Sequence, residues 1–348
     1  MGITGHSYFG DLAARQDSLK VDVAIQYRVA NLLGELLDWS GIRLLRSAPG
    51  MDIRLSVNLL KGCHQMGSVI NKSKYFRSVL FVPATRPDRY EKAVASGADV
   101  ACVDLENAVS LEDKDTAREQ VVKFFTGKDI VPTQRALRIN QLDSDCGIKD
   151  MLMLLDLPRL PDVVILPKVQ SAEEVIGFCQ VMAPSHKTIR IIALIESPKG
   201  LENALSIAQV EEVVCLAFGA ADYSAAVGSD MSWDALLYGR GRLVQAAAFA
   251  GIDAVDGPFL ELDDERRLLE ETQRVSALGF SGKVAIHPRQ IKPIHQGLAP
   301  SSEALLHAQR VLKAYEKNHG GVLVVDGQMV DMPVVERALK TVAASKGL

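Results

Sequence analysis

Residues 77–109, RSVLFVPATRPDRYEKAVASGADVACVDLENAV, decide the fold. Two short apolar runs, 78–82 (SVLFV) and 99–104 (DVACVD), flank a stretch of helical pattern. The unit then repeats. Further runs stand at 135–139 (RALRI), 162–166 (DVVIL), 189–195 (IRIIALI), 213–218 (VVCLAF), 252–255 (IDAV) and 282–286 (GKVAI). Near-continuous apolar runs separated by helices are the pattern of parallel strands buried on both faces. Eight in strict alternation predict a closed (β/α)8 barrel of the TIM type. The competing doubly wound sheet lacks its glycine-rich GxGxxG turn after the first strand, and there is no P-loop.

Helices are predicted at 111–125, opening on Glu112, Asp113 and Asp115, and at 264–278, with Leu268, Leu269, Thr272, Val275 and Leu278 on one stripe. Beyond the eighth run the pattern changes. A helix at 302–317, a hairpin over 322–333 turning at Asp326-Gly327, and a last helix near 334–346 form a C-terminal appendage. The chain therefore divides into an N-terminal extension (1–73), a barrel (74–298) and the appendage (299–348). Within the extension, 21–38 carries apolar residues at helical spacing, without recognisable chemistry.

Composition excludes several classes. The 348 residues are 48% hydrophobic, enough for a large core, and carry a formal charge of −4, so no basic excess points to nucleic acid or an anionic membrane. No run of 18 apolar residues offers a membrane span. The five cysteines (Cys63, Cys102, Cys146, Cys179, Cys215) are scattered without a CxxC pair, as in a reduced cytoplasmic protein without a zinc site. Arg43, Arg46 and Arg54 hint at a transit segment, but Asp11, Asp17, Glu35 and Asp52 weigh against it; a start at Met51 or Met66 is the other reading.

Barrel enzymes of this kind work at the carboxyl ends of their strands. There the sequence places Arg86 after strand one, Asp104-Leu105-Glu106-Asn107 after strand two, Arg138 and Asn140 at strand three, and Lys168 after strand four. Glu196 ends strand five, Asp222 follows strand six, and His287 follows strand eight. Glu196 and Asp222 end neighbouring strands. Two carboxylates without a Cys or His cluster suit a hard cation such as Mg²⁺. The competing roles are a helix N-cap for Asp222 and a first-turn acid for Glu196. Arg138 is the best anion anchor, since its guanidinium grips a carboxylate through two parallel hydrogen bonds. Arg86 and Lys168 are further anion contacts, or ion-pair partners of Asp104 or Glu106. His287 is a base or a structural ring.

Seven blocks in order carry a resemblance: the opening stretch 77–109, LRIN (137–140), VVILPKVQSAEEV (163–175), IALIESPKG (192–200), FGAADYSAAVG (218–228), GFSGKVAIHPRQI (279–291) and DGQMVDMP (326–333). The chain resembles the citrate lyase beta-subunit-like family, with its malyl-CoA and citramalyl-CoA lyases, over about residues 76–340. The resemblance implies a carbon–carbon lyase acting on a CoA thioester to give a 2-oxo acid. It implies Mg²⁺ held by Glu196 and Asp222, and a substrate carboxylate on Arg138. It also implies an acid–base role for Asp331 in a neighbouring subunit's site, hence a homo-oligomer, commonly a trimer. Two positions depart from the family pattern: Asn107 and Ala221 each replace an acid. The alternatives are a malyl-CoA-type thioesterase, a non-CoA 2-oxo acid aldolase and a non-catalytic lyase subunit.

Overall fold

The computed structural model describes residues 76–127, 133–183, 189–318 and 321–346. The extension and its predicted helix at 21–38 lie outside the described residues.

Eight parallel strands close on themselves in chain order: β1 (Ser78–Pro83), β2 (Val100–Asp104), β3 (Gln134–Arg138), β4 (Val163–Leu166), β5 (Ile191–Ile195), β6 (Val213–Phe218), β7 (Asp253–Asp256) and β8 (Gly282–Ala285). The last pair, β8 with β1, seals the barrel, so no strand edge is left open. Every apolar run read from the sequence becomes one strand, to within two residues.

The chain returns between strands through α1 (Tyr90–Val94), α2 (Lys114–Thr126), α3 (Asp145–Asp156), α4 (Ala172–Met182), α5 (Pro198–Glu202), α6 (Ala204–Ala208), α7 (Ala220–Val227), α8 (Trp233–Ala250), α9 (Glu265–Leu278) and α10 (Ile291–Leu298). Several start at a side chain that accepts a hydrogen bond from the backbone N–H three residues on: Ser144, Ser171, Ser197, Ser232 and Asp264. Each such cap contributes about 1 kcal/mol. The helix predicted from residue 111 begins only at Lys114. Ser110 Oγ donates to Asp113 Oδ2 at 2.7 Å, so that carboxylate serves the preceding turn rather than capping the helix.

Alternation sorts each strand's side chains. Val100 and Cys102, Val163 and Ile165, Ile192 and Leu194, and Cys215 and Ala217 fill the barrel interior with Val79, Ala136, Val255 and Val284. Their neighbours of opposite parity, such as Leu80, Val103, Leu137 and Phe218, pack outward against the helices. Burial raises the Cys102 thiol well above its ordinary range, as befits an inert core residue.

The appendage is α11 (Ser302–Lys317), a hairpin of β9 (Leu323–Val325) and β10 (Gln328–Val330), and α12 (Met332–Lys346). Asp326 and Gly327 both take positive φ (51° and 78°), as a two-residue hairpin turn requires. Ala308, Val311, Val325, Val330, Val335 and Ala338 form a small core of their own. The last helix starts at Met332, two residues before the predicted start.

Candidate active site at the carboxyl ends of the strands

The alternation that fills the interior also aims the site. Asp104 continues the inward series Val100, Cys102; Arg138 follows Ala136; Glu196 follows Ile192 and Leu194. Where the core series ends, the next inward positions carry charge.

Asp104 and Arg138 are register partners on β2 and β3. Arg138 donates from Nε to Asp104 Oδ1 and from Nη2 to Oδ2, both at 2.7 Å. Its guanidinium lies over the Phe81 ring, 4.8 Å from the centroid. Burial works against the charge, yet the bonded Asp104 and nearby Glu106 outweigh it and hold Arg138 above the ordinary arginine pKa. The Nε–Nη2 edge is thus occupied by Asp104, while Nη1 lies 2.8 Å from Glu106 Oε2.

A second layer fixes this pair. Lys114 is buried and donates to the carbonyls of Leu105 (2.5 Å) and Glu106 (2.7 Å) and to Asn140 Oδ1 (2.7 Å). Burial depresses its pKa. Asn140 donates in turn to Asp150, which Arg118 holds at 2.6 Å. The loop bearing Asp104 and Glu106 is therefore clamped from below. The sequence reading missed Lys114 because it lies ten residues past the strand end, inside a helix whose charges look solvent-facing.

Glu196 is buried, and its Oε1 accepts the Lys168 backbone N–H at 2.7 Å. Lys168 makes that contact with φ at +52°, in the left-handed region, a strained choice for a lysine. Gly219, at the next inward position of β6, gives Glu196 its room: a Cβ there would sit 2.6 Å from Oε2. Burial first, then the charges of Glu106 and Asp222, push the Glu196 carboxyl up to about 8.

Asp222 lies half-buried in the first turn of α7. The N-cap of that helix is Gly219, so the N-cap role considered for Asp222 does not apply. The first-turn role considered for Glu196 falls as well, because Ser197 caps α5. Burial also raises the Glu106 carboxyl, against the pull of Arg138. Three mutually repelling carboxylates, Glu106, Glu196 and Asp222, share one region of low dielectric. Among the described residues no three His, Cys, Asp or Glu side chains converge as direct ligands of one ion. Crowded all-oxygen donors relieved by positive charge, with few protein ligands, fit a hard divalent cation that keeps waters of its own.

The other sequence candidates fall as follows. Lys168 Nζ lies 3.5 Å from Glu106 Oε1. Arg86 pairs with Asp88, at 2.8 and 2.7 Å on the exposed rim, rather than with Asp104 or Glu106. His287 accepts the Arg289 N–H through Nδ1 and caps a short turn, which is its structural reading. Asn107 and Ala221 are exposed. Asp331 stands at the head of α12, where its carbonyl accepts the Val335 N–H. Among the described residues its carboxylate makes no hydrogen bond or ion pair, and none joins it to this chain's Arg138, Glu196 or Asp222.

Comparison with known proteins agrees with the barrel fold. A model of the HpcH/HpaI aldolase/citrate lyase family matches residues 77–288, more than half of the chain. The chain is 36% identical to citrate lyase subunit beta of Leuconostoc mesenteroides subsp. cremoris over 77% of its own length and 93% of the relative's. It is 28% identical to the mitochondrial citramalyl-CoA lyase of Homo sapiens, over 88% and 98%. Among solved structures, CitE from Mycobacterium tuberculosis in complex with magnesium, acetoacetate and coenzyme A is similar with a TM-score of 0.68 at 33% identity, covering 78% of this chain and 98% of that one. The barrel and these likenesses agree: the chain belongs to the HpcH/HpaI aldolase/citrate lyase family and is a lyase of that family.

Proposed function

We propose that the protein cleaves a 3-hydroxyacyl-CoA thioester of malyl, citramalyl or citryl type to an acyl-CoA and a 2-oxo acid, reversibly and with Mg²⁺. The observation that carries this reading is one barrel mouth whose strand ends present a pre-oriented arginine, Arg138, and a buried acid, Glu196, bridged by Glu106 and Lys168. A 2-oxo acid carries a carboxylate for the first and an adjacent oxygen for a cation held by the second.

Glu196 and Asp222 would hold Mg²⁺, which supplies Lewis acidity to the oxygen that becomes the carbonyl. Arg138 holds the substrate carboxylate while Asp104 fixes the guanidinium plane. Lys168 adds positive charge on the same side, and Arg86, on the rim, meets the outer anionic part of the thioester. Carbon–carbon cleavage releases the hydroxyl proton to solvent as the new carbonyl forms, and leaves a thioester enolate whose carbon must be protonated. Asp331 is our candidate donor. We assign residues 299–348 to reach a neighbouring subunit's site, so that the working form is a homo-oligomer, a trimer or a multiple of it. Residues 74–298 are the lyase domain, and the protein works in the cytoplasm.

The test is incubation with Mg²⁺ and malyl-CoA, citramalyl-CoA and β-methylmalyl-CoA stereoisomers, with 2-oxo acid and free thiol assayed separately. A 2-oxo acid formed with Mg²⁺ and lost with EDTA supports the lyase and identifies its substrate. Thiol without 2-oxo acid makes the protein a thioesterase instead, and silence on every thioester defeats the reading.

A further inference from the structure

Glu106 is a buried site acid whose hydrogen bonding does not close among the described residues. Its side chain is 6% exposed, yet neither carboxylate oxygen has a hydrogen-bond partner among the described residues. Two cations stand close: Arg138 Nη1 at 2.8 Å from Oε2 and Lys168 Nζ at 3.5 Å from Oε1. These contacts balance charge without directing an N–H at either oxygen. Asp104, two residues away, is by contrast fully engaged, by Arg138 and by the backbone N–H groups of Glu106 and Ala108. Buried polar atoms are rarely left unpaired, and an exception points to a water or ligand that belongs there. The main chain of Glu106 is rigid, since Lys114 grips its carbonyl. Lys168 ties the side chain to the Glu196 end of the site: its backbone N–H donates to Glu196 Oε1 at 2.7 Å and its Nζ lies 3.5 Å from Glu106 Oε1.

We propose that Glu106 is a positioning residue for the cation site, its two free oxygens accepting hydrogen bonds from water molecules on the ion that Glu196 and Asp222 hold. This deepens the metal reading of the preceding subsection and rests on it. Two protein carboxylates leave a hexacoordinate ion several waters, and those waters donate hydrogen bonds. Arg138 and Lys168 offset part of the cost of burying Glu106 without donating a hydrogen bond to its oxygens. A direct third ligand is not required.

The test is Mn²⁺ affinity, read by electron paramagnetic resonance of free Mn²⁺, together with water proton relaxation of the bound ion. No substrate is present. The full chain is used as wild type, E196Q, D222N, E106Q and E106D, each checked by circular dichroism. We expect E196Q and D222N to abolish binding. Loss of an outer-shell partner weakens metal binding by roughly 10–100-fold, the range expected for E106Q. E106D, which keeps the charge but withdraws the oxygens, should also weaken binding and change the relaxation of the bound waters. If E106Q fails to fold, E106D carries the test alone. Wild-type affinity in E106Q, with E196Q still dead, overturns the Glu106 role and leaves the metal site standing. Weak binding in E106Q with wild-type behaviour in E106D reduces Glu106 to bulk charge and also overturns it. Unchanged binding in all four variants overturns the metal site and this inference together.

Discussion

Asp104 and Arg138 face each other as the last register pair of β2 and β3, joined by two hydrogen bonds of 2.7 Å. The pair sets the plane of the guanidinium before any substrate arrives. Pre-orientation of this kind is what lets an arginine bind a carboxylate without first losing its own freedom. Arg138→Lys keeps the charge and loses the fork. We expect at least a tenfold rise in KM for the thioester and in Kd for a 2-oxo acid, with Mn²⁺ binding unchanged. Asp104→Asn removes the two-point partner of Arg138, leaving Glu106 to balance its charge, and should lower stability by about 1–3 kcal/mol, read by denaturant unfolding.

Gly219 makes a sharper prediction, because it is defined by space alone. In Gly219→Ala the new methyl group meets the Glu196 side chain, with Oε2 at 2.6 Å. Glu196 cannot retreat easily, since its other oxygen is tied to the Lys168 N–H at 2.7 Å. We expect Mg²⁺ affinity to fall more than tenfold by titration calorimetry while the far-ultraviolet spectrum stays native. Wild-type affinity would show that Glu196 is not a ligand.

The strand pattern made the barrel legible, and its strand ends located the charged rim where Asp104, Arg138 and Glu196 stand. The reason is physical: a run buried on both faces has to be apolar, so the first inward charge marks where the core stops. Glu106 was legible as a rim charge but not as an unpaired one, since hydrogen-bond direction is a three-dimensional fact. Lys114 was illegible for the opposite reason. Its charge sits in an acid-rich helix start and looks solvated, yet the side chain turns under the β2 loop. Arg86 shows the limit of strand-end reasoning, because a neighbour two residues away, Asp88, captured it.

Lys114 yields a test of that clamp. In Lys114→Met two backbone carbonyls and Asn140 Oδ1 lose a buried donor. Each orphaned acceptor costs about 1–3 kcal/mol unless water reaches it, so thermal unfolding should drop by several degrees. Turnover should fall further than stability explains, because Asp104 and Glu106 lose their fixed loop. A variant that keeps wild-type kcat/KM at low temperature would reduce the clamp to simple packing.

Glu196 gives the pH dependence. Its carboxyl is raised from 4.5 to about 8 by burial and by Glu106 and Asp222. The folded, metal-stripped chain therefore holds this proton more tightly than the unfolded chain does. Its contribution to stability is full below the ordinary carboxylate range and is lost as pH rises through about 8. In EDTA the melting temperature should decline across that window, and Mg²⁺ should oppose the decline. Because the cation needs the ionised form, binding near pH 6.5 should release roughly one proton per ion, and almost none above pH 9. Calorimetry in buffers of different ionisation enthalpy measures this directly. Equal proton counts at both pH values would contradict the assignment.

Asp331 is tested by mixing. Asp331→Asn should abolish turnover and leave Mn²⁺ and 2-oxo acid binding intact. Glu196→Gln should be inactive for the opposite reason. If the appendage serves a neighbouring barrel, co-refolded mixtures of the two variants recover part of the activity, because some sites draw both intact residues from different chains. Inert mixtures would place Asp331 in its own chain's site or outside catalysis.

The most direct measurement of the central claim is carbon-13 magnetic resonance of labelled citramalyl-CoA and malyl-CoA during turnover with Mg²⁺. The account predicts that labelled pyruvate or glyoxylate and acetyl-CoA appear together, one for one, and that both stop when EDTA is added. Labelled citramalate or malate appearing with free coenzyme A, or turnover that continues in EDTA, would contradict it.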